Sequence, residues 1–168
     1  VPPGDLDLVP GHGQPAPRRR PVQGGADARP GRRVDGRQLG LLVAPGEPGS
    51  ETWPKDTDAY KYGGAPTWRT GAYDPELDLV YWGTGNAEPW APENRGGLDS
   101  LYASSLLAIR PKTGQLVWHY QYTPNDVYDV DGVDEFVLAD IQVGGRPRKV
   151  MIQANKNGFL YVIDRTNC

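Results

Sequence analysis

The first 50 residues of the chain contain no aromatic residue and no lysine, although they hold 9 Pro, 10 Gly and 7 Arg. All five Trp, all nine Tyr and both Phe lie further along the sequence. A segment of this composition cannot bury enough apolar surface to offset the entropy lost on ordering. We therefore predict no recognisable domain over residues 1–45, which are either disordered or the out-of-frame translation of a GC-rich gene.

The scarcity of cysteine, of long apolar runs and of aromatic residues beside the arginines excludes several features and functions. Its one cysteine, Cys168, rules out an internal disulfide and leaves the redox compartment undecided. No run approaches the ~20 apolar residues that span a membrane, so we expect no transmembrane segment. The start also lacks the charged region and apolar stretch of a signal peptide. The arginine run Arg18–Arg20 has no interleaved aromatic residues for base stacking, so nucleic-acid binding is not expected.

Short apolar segments separated by turn residues dominate the chain after Trp53. Turn signals such as Lys112-Thr113-Gly114 and Asn157-Gly158 divide segments of about five or six residues, which is typical of sandwiches, barrels and propellers. No stretch of about 12 residues keeps a helical apolar period, so the chain is predicted to be all-β. The predicted strands are Thr67–Tyr73, Leu79–Thr84, Ser104–Ile109, Leu116–Gln121, Phe136–Ile141, Lys149–Ala154 and Phe159–Asp164.

An internal similarity favours the propeller among these folds. Residues 108–118 form a strand, a tight Thr-Gly turn and a second strand that ends in Trp118. A second, truncated copy starts at Tyr161, and a weaker echo lies at Ala72-Tyr73-Asp74-Pro75. Strand–turn–strand units with a tryptophan at a fixed offset are typical of propeller blades, whereas a single copy would be an ordinary hairpin with a buried tryptophan.

The repeat resembles the tryptophan-docking motif of eight-bladed quinoprotein propellers, except that Arg110 stands where that family usually has Asp. Further motifs follow in family order. They are Gly63-Gly64-Ala65-Pro66-Thr67-Trp68, Gly83-Thr84-Gly85-Asn86-x-x-Pro89-Trp90, Thr123-Pro124-Asn125-Asp126-x-Tyr128-Asp129 and Asn155-Lys156-Asn157-Gly158-Phe159. Together they are similar to the pyrroloquinoline quinone (PQQ)-dependent alcohol dehydrogenases. The resemblance implies that residues 46–168 are about three blades of a partial PQQ-binding β-propeller.

The resemblance also implies a site. Trp68 matches the tryptophan on which the planar quinone stacks, and Lys156 matches a basic residue beside the quinone carbonyl. Asn86 matches an amide metal ligand, and Asp129 matches a metal ligand that is also the base for the alcohol hydroxyl proton. Taken alone, each has a plainer interpretation as a core tryptophan, a turn asparagine, a solvated turn lysine or an exposed loop acid.

Asp131 extends the metal assignment. If Val130 lies in an extended segment, the side chains of Asp129 and Asp131 point to the same face, where they need a cation between them. Calcium members of the family carry an uncharged residue at the second position. An aspartate there resembles the lanthanide-dependent branch, so we expect Asn86, Asp129 and Asp131 to bind a lanthanide ion, with Ca²⁺ as the alternative.

The remaining expectations also follow from the resemblance. It implies oxidation of small primary alcohols to aldehydes, a cytochrome c electron acceptor, a periplasmic location and the possibility of a homodimer. A glutamate ligand and a vicinal cysteine pair of the family would fall near or before the start of the chain, so the fragment alone is expected to bind metal and quinone poorly. A non-catalytic propeller scaffold that binds proteins stays the alternative function.

Overall fold

The computed structural model describes Gly40, Leu41, Val43, residues 45–57 and residues 64–168. Residues 1–45 are the segment predicted to contain no recognisable domain, and most of them lie outside the described residues. Within the described residues, three antiparallel sheets follow one another, with two, four and three strands. Their strands are β1 (Gly40–Leu41) and β2 (Ala65–Pro66), then β3 (Ala72–Asp74), β4 (Leu79–Gly83), β5 (Ser105–Arg110) and β6 (Gln115–Gln121), and finally β7 (Phe136–Val143), β8 (Arg146–Ala154) and β9 (Leu160–Asp164).

The all-β prediction is confirmed for this part of the chain. Its helical elements are two short 3₁₀ turns, Ser50–Thr52 and Pro92–Arg95. Hairpin turns occur where glycine was expected to permit them. Gly114, for example, has φ +68, and its N–H closes the turn on the Arg110 carbonyl at 2.9 Å.

The first predicted strand, Thr67–Tyr73, is wrong over most of its length. Only Ala72–Asp74 pairs with β4, and the register ends where Ala72 faces Tyr81. Upstream of Ala72 the pairing with β4 ends, and Trp68 lies against Gly85 in the loop that follows β4. The Pro66 carbonyl there accepts a hydrogen bond from the Gly85 N–H at 2.7 Å.

A shared core holds the four-stranded and three-stranded sheets together. Tyr81 and Trp118 are almost fully buried in it, with ring centroids 5.7 Å apart. Each fully buried aromatic or aliphatic side chain of this kind stabilises the fold by roughly 1.5–3 kcal/mol. The buried members of the core are Leu79, Tyr81, Leu106, Ala108, Trp118, Tyr122, Met151 and Ile163.

Arg110, which departs from the docking motif, has a structural partner of its own. Its guanidinium Nη1 donates to the carbonyl oxygens of Leu77 and Asp78, at 2.6 and 3.1 Å. The side chain therefore ties the end of β5 to the β3–β4 turn within the same sheet.

An ion pair joins the two larger sheets at the second copy of the repeat. Arg165 Nε lies 2.7 Å from Asp74 Oδ2, and both side chains are buried. Burial alone would raise the pKa of the Asp74 carboxyl, but hydrogen bonds from Arg165 and from the N–H groups of Leu77 and Glu76 outweigh it and lower that pKa. The Tyr81 hydroxyl also donates to the Arg165 carbonyl at 2.7 Å, so β4 and the end of β9 are locked together.

Candidate functional site

The loops that follow β4 and β6 meet backbone to backbone. The Gly132 N–H donates to the Thr84 carbonyl at 2.8 Å. A Cβ on Gly83 would lie 2.3 Å from the Gly132 carbonyl oxygen, so a side chain there would separate the two loops. This close approach brings Asn86 and Asp131 together, and the Asn86 N–H donates to Asp131 Oδ1 at 2.8 Å.

Lys156 completes a charged contact with the same carboxylate. Its Nζ lies 2.7 Å from Asp131 Oδ2, with the aspartate side chain 5% exposed and the lysine side chain 49% exposed. The hydrogen bond to Asp131 raises the pKa of Lys156 against an opposing effect of desolvation, and the charges of Asp131, Asp129 and Asp134 raise it further. Three aspartates from one loop therefore act on the lysine that follows β8.

Trp68 lies against the loop after β4. A Cβ built on Gly85 would fall 2.3 Å from Cζ3 and 2.6 Å from Cη2 of the Trp68 ring, and 3.0 Å from Asp131 Oδ1. The absence of a side chain on Gly85 thus gives the indole its place beside Asp131. Trp68 is nevertheless 55% exposed, so much of the ring is open to a ligand.

The expectation of an extended segment at Asp129 and Asp131 is wrong. The two residues have φ +58 and +69, in the left-handed region, so the simple alternation of an extended strand does not relate their side chains. Asp129 is exposed, whereas Asp131 is 3% exposed. The negative charges of both carboxylates still raise the pKa of Lys156, with Asp131 contributing more.

Two buried polar residues of this region were missed by the sequence reasoning. Asp126, to which the sequence motif assigned no role, is 1% exposed, and Arg95 is fully buried. Arg95 Nη2 donates to the Asp126 carbonyl at 2.8 Å, and Nη1 donates to Asn125 Oδ1 at 2.9 Å. The available signal was local, since an aspartate commonly accepts hydrogen bonds from backbone N–H groups a few residues further on.

The residue types at this site fit the two groups that the resemblance implies. An exposed indole seated in a cradle that any Cβ would fill suits a flat aromatic ligand. Amide and carboxylate oxygens from Asn86, Asp129 and Asp131 are the donors that hard cations take. Within the described ranges, no three His, Cys, Asp or Glu side chains converge as a preformed metal cluster, and Asp131 is neutralised by Lys156 instead.

Comparisons with known proteins identify the family of the chain. The family described as PQQ: glucose/ethanol/alcohol dehydrogenase, beta-propeller domain, matches residues 28–168. Because that match begins upstream of Gly46, the division between residues 45 and 46 stays a prediction.

Among the described residues, no helix has the length and apolar character needed to span a membrane.

Individual relatives cover most of this chain but little of their own length. A quinohemoprotein alcohol dehydrogenase, ADH IIB of Pseudomonas putida, is 54% identical over 120 residues, which are 70% of this chain and 17% of the relative. A lanthanide-dependent methanol dehydrogenase of Methylacidiphilum fumariolicum is 44% identical over 121 residues, covering 72% and 19%. The structure of a europium-containing methanol dehydrogenase superimposes with a TM-score of 0.67 at 42% identity, covering 74% of this chain and 21% of that one.

The chain thus spans about a fifth of the length of these relatives. The all-β topology and the partial propeller expected from the sequence are both consistent with the family match and the superposition. This chain belongs to the PQQ-type glucose/ethanol/alcohol dehydrogenase family and forms part of its β-propeller domain.

Proposed function

We propose that this chain supplies one side of the active site of a PQQ-dependent alcohol dehydrogenase that oxidises primary alcohols to aldehydes. The observation that carries the proposal is the meeting of Trp68, Asn86, Asp131 and Lys156, which come from four separate segments of the chain. A structural role alone gives no reason to keep a half-exposed indole and a half-exposed lysine around one buried carboxylate.

Each residue has a distinct role in this proposal. PQQ, when bound, would supply the electron acceptor for the hydrogen and two electrons that leave the alcohol carbon together as a hydride. Trp68 provides the flat surface beneath it, and Lys156 offers a cation beside the place where negative charge develops. Asp129 is exposed, and its carboxylate would act as the base that accepts the alcohol hydroxyl proton.

We further propose that Asn86, Asp129 and Asp131 hold the metal, and that the metal is a lanthanide. A trivalent ion requires more compensating negative charge than Ca²⁺, and Asp131 provides an additional carboxylate. Lys156 Nζ pairs with Asp131 Oδ2, so a bound ion would compete with the ammonium group for the same oxygen.

The electron acceptor and the cellular location are also inferred from the family. The quinohemoprotein relative pairs, by its name, a quinone with a haem. We propose a cytochrome c-type haem as the acceptor for the present protein, a periplasmic location, and a homodimer as one possible assembly.

The test uses the full gene product that contains this chain, supplied with PQQ and either La³⁺ or Ca²⁺. Dye-linked oxidation of ethanol or methanol should depend on PQQ and be greater with La³⁺. Asp129→Asn should abolish turnover, and Asp131→Ala should reduce La³⁺-dependent turnover by at least about 10-fold. Glu135→Ala, which removes an acid with an 86% exposed side chain from the same loop, serves as the matched control.

Three results would contradict the proposal. Absence of activity with either ion would favour the non-catalytic scaffold that binds proteins. Equal activity with Ca²⁺, unaffected by Asp131→Ala, would make the protein a calcium enzyme. An equal loss in Asp131→Ala and Glu135→Ala would show that acidity of the loop, rather than the Asp131 carboxylate, is what matters.

A further inference from the structure

The Asp126 carboxylate is buried beneath the loop that carries Asp129 and Asp131. Its Oδ2 accepts hydrogen bonds from the N–H groups of Val130 and Asp131, at 2.7 and 3.0 Å, and from the Ser104 hydroxyl at 2.8 Å. Its Oδ1 accepts from the Tyr128 N–H at 3.0 Å. One carboxylate therefore holds three backbone amides of a four-residue segment.

The loop needs such a constraint because its backbone is unusual. Asp129 and Asp131 lie at φ +58 and +69, where the Cβ of a residue other than glycine crowds the following carbonyl. Such conformations persist only where surrounding interactions determine them. The hydrogen bonds to Asp126 begin before Asp129 and end on Asp131 itself, so they bracket both left-handed residues.

The buried guanidinium of Arg95 lies against the backbone of Asp126. The fully buried Arg95 guanidinium donates to the Asp126 carbonyl and to Asn125. Burial lowers the pKa of Arg95, and the negative charges of Asp126 and Glu88 oppose that effect. Each of the two buried charges therefore offsets part of the cost of burying the other.

We propose that Asp126 is a positioning residue for the reaction, setting the direction in which the Asp129 and Asp131 side chains leave the backbone. The inference rests on the proposed function, because it assigns those two aspartates to the metal and the substrate. Asp126 is not assigned to the metal or to the substrate. It acts through the backbone amides of Tyr128, Val130 and Asp131.

The experiment compares Asp126→Asn and Asp126→Ala with wild type in the full gene product. With PQQ and La³⁺, kcat should fall about 10–100-fold, and the Kd for Tb³⁺, measured by indole-sensitised luminescence, should rise by a similar factor. Hydrogen exchange of the amides over residues 127–132 should accelerate. Asparagine keeps one acceptor oxygen, so Asp126→Asn should lie between wild type and Asp126→Ala in all three measurements.

Asp74→Asn is the matched control. Asp74 is also buried, at 2% exposure, but it forms its ion pair with Arg165 at the contact between the two larger sheets. The Asp74→Asn variant should have a lower urea midpoint. Its kcat and Tb³⁺ Kd should stay within about twofold of wild type, since separated sites couple weakly. Equal effects of Asp74→Asn and Asp126→Asn on Tb³⁺ binding would overturn the proposal.

If Asp126→Asn does not fold, Ser104→Ala removes one donor to the same carboxylate, and unchanged Tb³⁺ affinity and exchange in that variant would overturn the inference. If the wild type oxidises no alcohol, the proposed function fails. Tb³⁺ affinity and exchange over residues 127–132 then decide the role of Asp126, and a wild type that does not bind Tb³⁺ would overturn the inference as well.

Discussion

Replacing Gly85 by alanine would force the Trp68 ring away from the backbone that supports it. The added Cβ would lie 2.3 Å from the ring carbon Cζ3 and 3.0 Å from Asp131 Oδ1. Carbon atoms pack comfortably at about 3.5 Å or more, so one of them must retreat by about 1.2 Å, the difference between 3.5 and 2.3 Å. The ring is half-exposed, and we expect it to move outward rather than the buried loop to rearrange.

The cost can be placed within limits. Inserting one methyl group into a well-packed contact destabilises proteins by about 1–3 kcal/mol. If Trp68 is the surface on which PQQ stacks, a displaced ring loses that contact in the complex, and affinity falls about tenfold for each 1.4 kcal/mol. The G85A variant should therefore bind PQQ at least several-fold more weakly while keeping its fold.

The assay is a PQQ titration of the full gene product by isothermal calorimetry, with urea unfolding measured in parallel. Gly114→Ala is the control, because a Cβ there meets nothing within 4 Å although Gly114 has φ +68. It should reduce stability by about 1–2 kcal/mol without affecting PQQ binding. Wild-type PQQ affinity in G85A would refute the assignment of Trp68 as the quinone's support.

Three other predictions concern Arg165, His119 and Lys156. Arg165→Met leaves Asp74 buried without its partner and should lower the free energy of unfolding by about 3–5 kcal/mol, whereas Arg148→Met, in a more exposed pair, should change it by less than about 1 kcal/mol. Burial lowers the pKa of His119 below its ordinary 6.5, so the unfolded chain binds that proton more readily. Stability should therefore fall as the pH drops from about 7 through 6.5 and on to the lower folded pKa, and urea midpoints of His119→Gln should show a smaller fall. The pKa of Lys156 is raised above 10.5, chiefly by Asp131, so its contribution to stability is complete below 10.5 and is lost above the folded pKa. NMR titration should show that pKa returning toward 10.5 in Asp131→Ala, and an unchanged value would contradict the contact.

Turn chemistry and apolar periodicity were enough to predict most of the strands. Lys112-Thr113-Gly114 and Gly144-Gly145 mark hairpin turns by their own backbone preferences, and the segments beside them form β5, β6, β7 and β8 as expected. The exception is Thr67–Tyr73, whose composition suits a strand. Pairing requires a neighbouring strand in register, and the register with β4 ends at Ala72.

The sequence by itself determined the all-β class, the turn positions and the family, because these depend on local preferences and on motifs read in order. Only the tertiary structure decided that Lys156 pairs with Asp131, that Trp68 lies over Gly85, and that Asp126 is buried. Asp131 and Lys156 are 25 positions apart, so their contact depends on how two sheets and their loops pack. The left-handed backbone at Asp129 and Asp131 has the same origin, since hydrogen bonds from the loop to a buried carboxylate hold it in place.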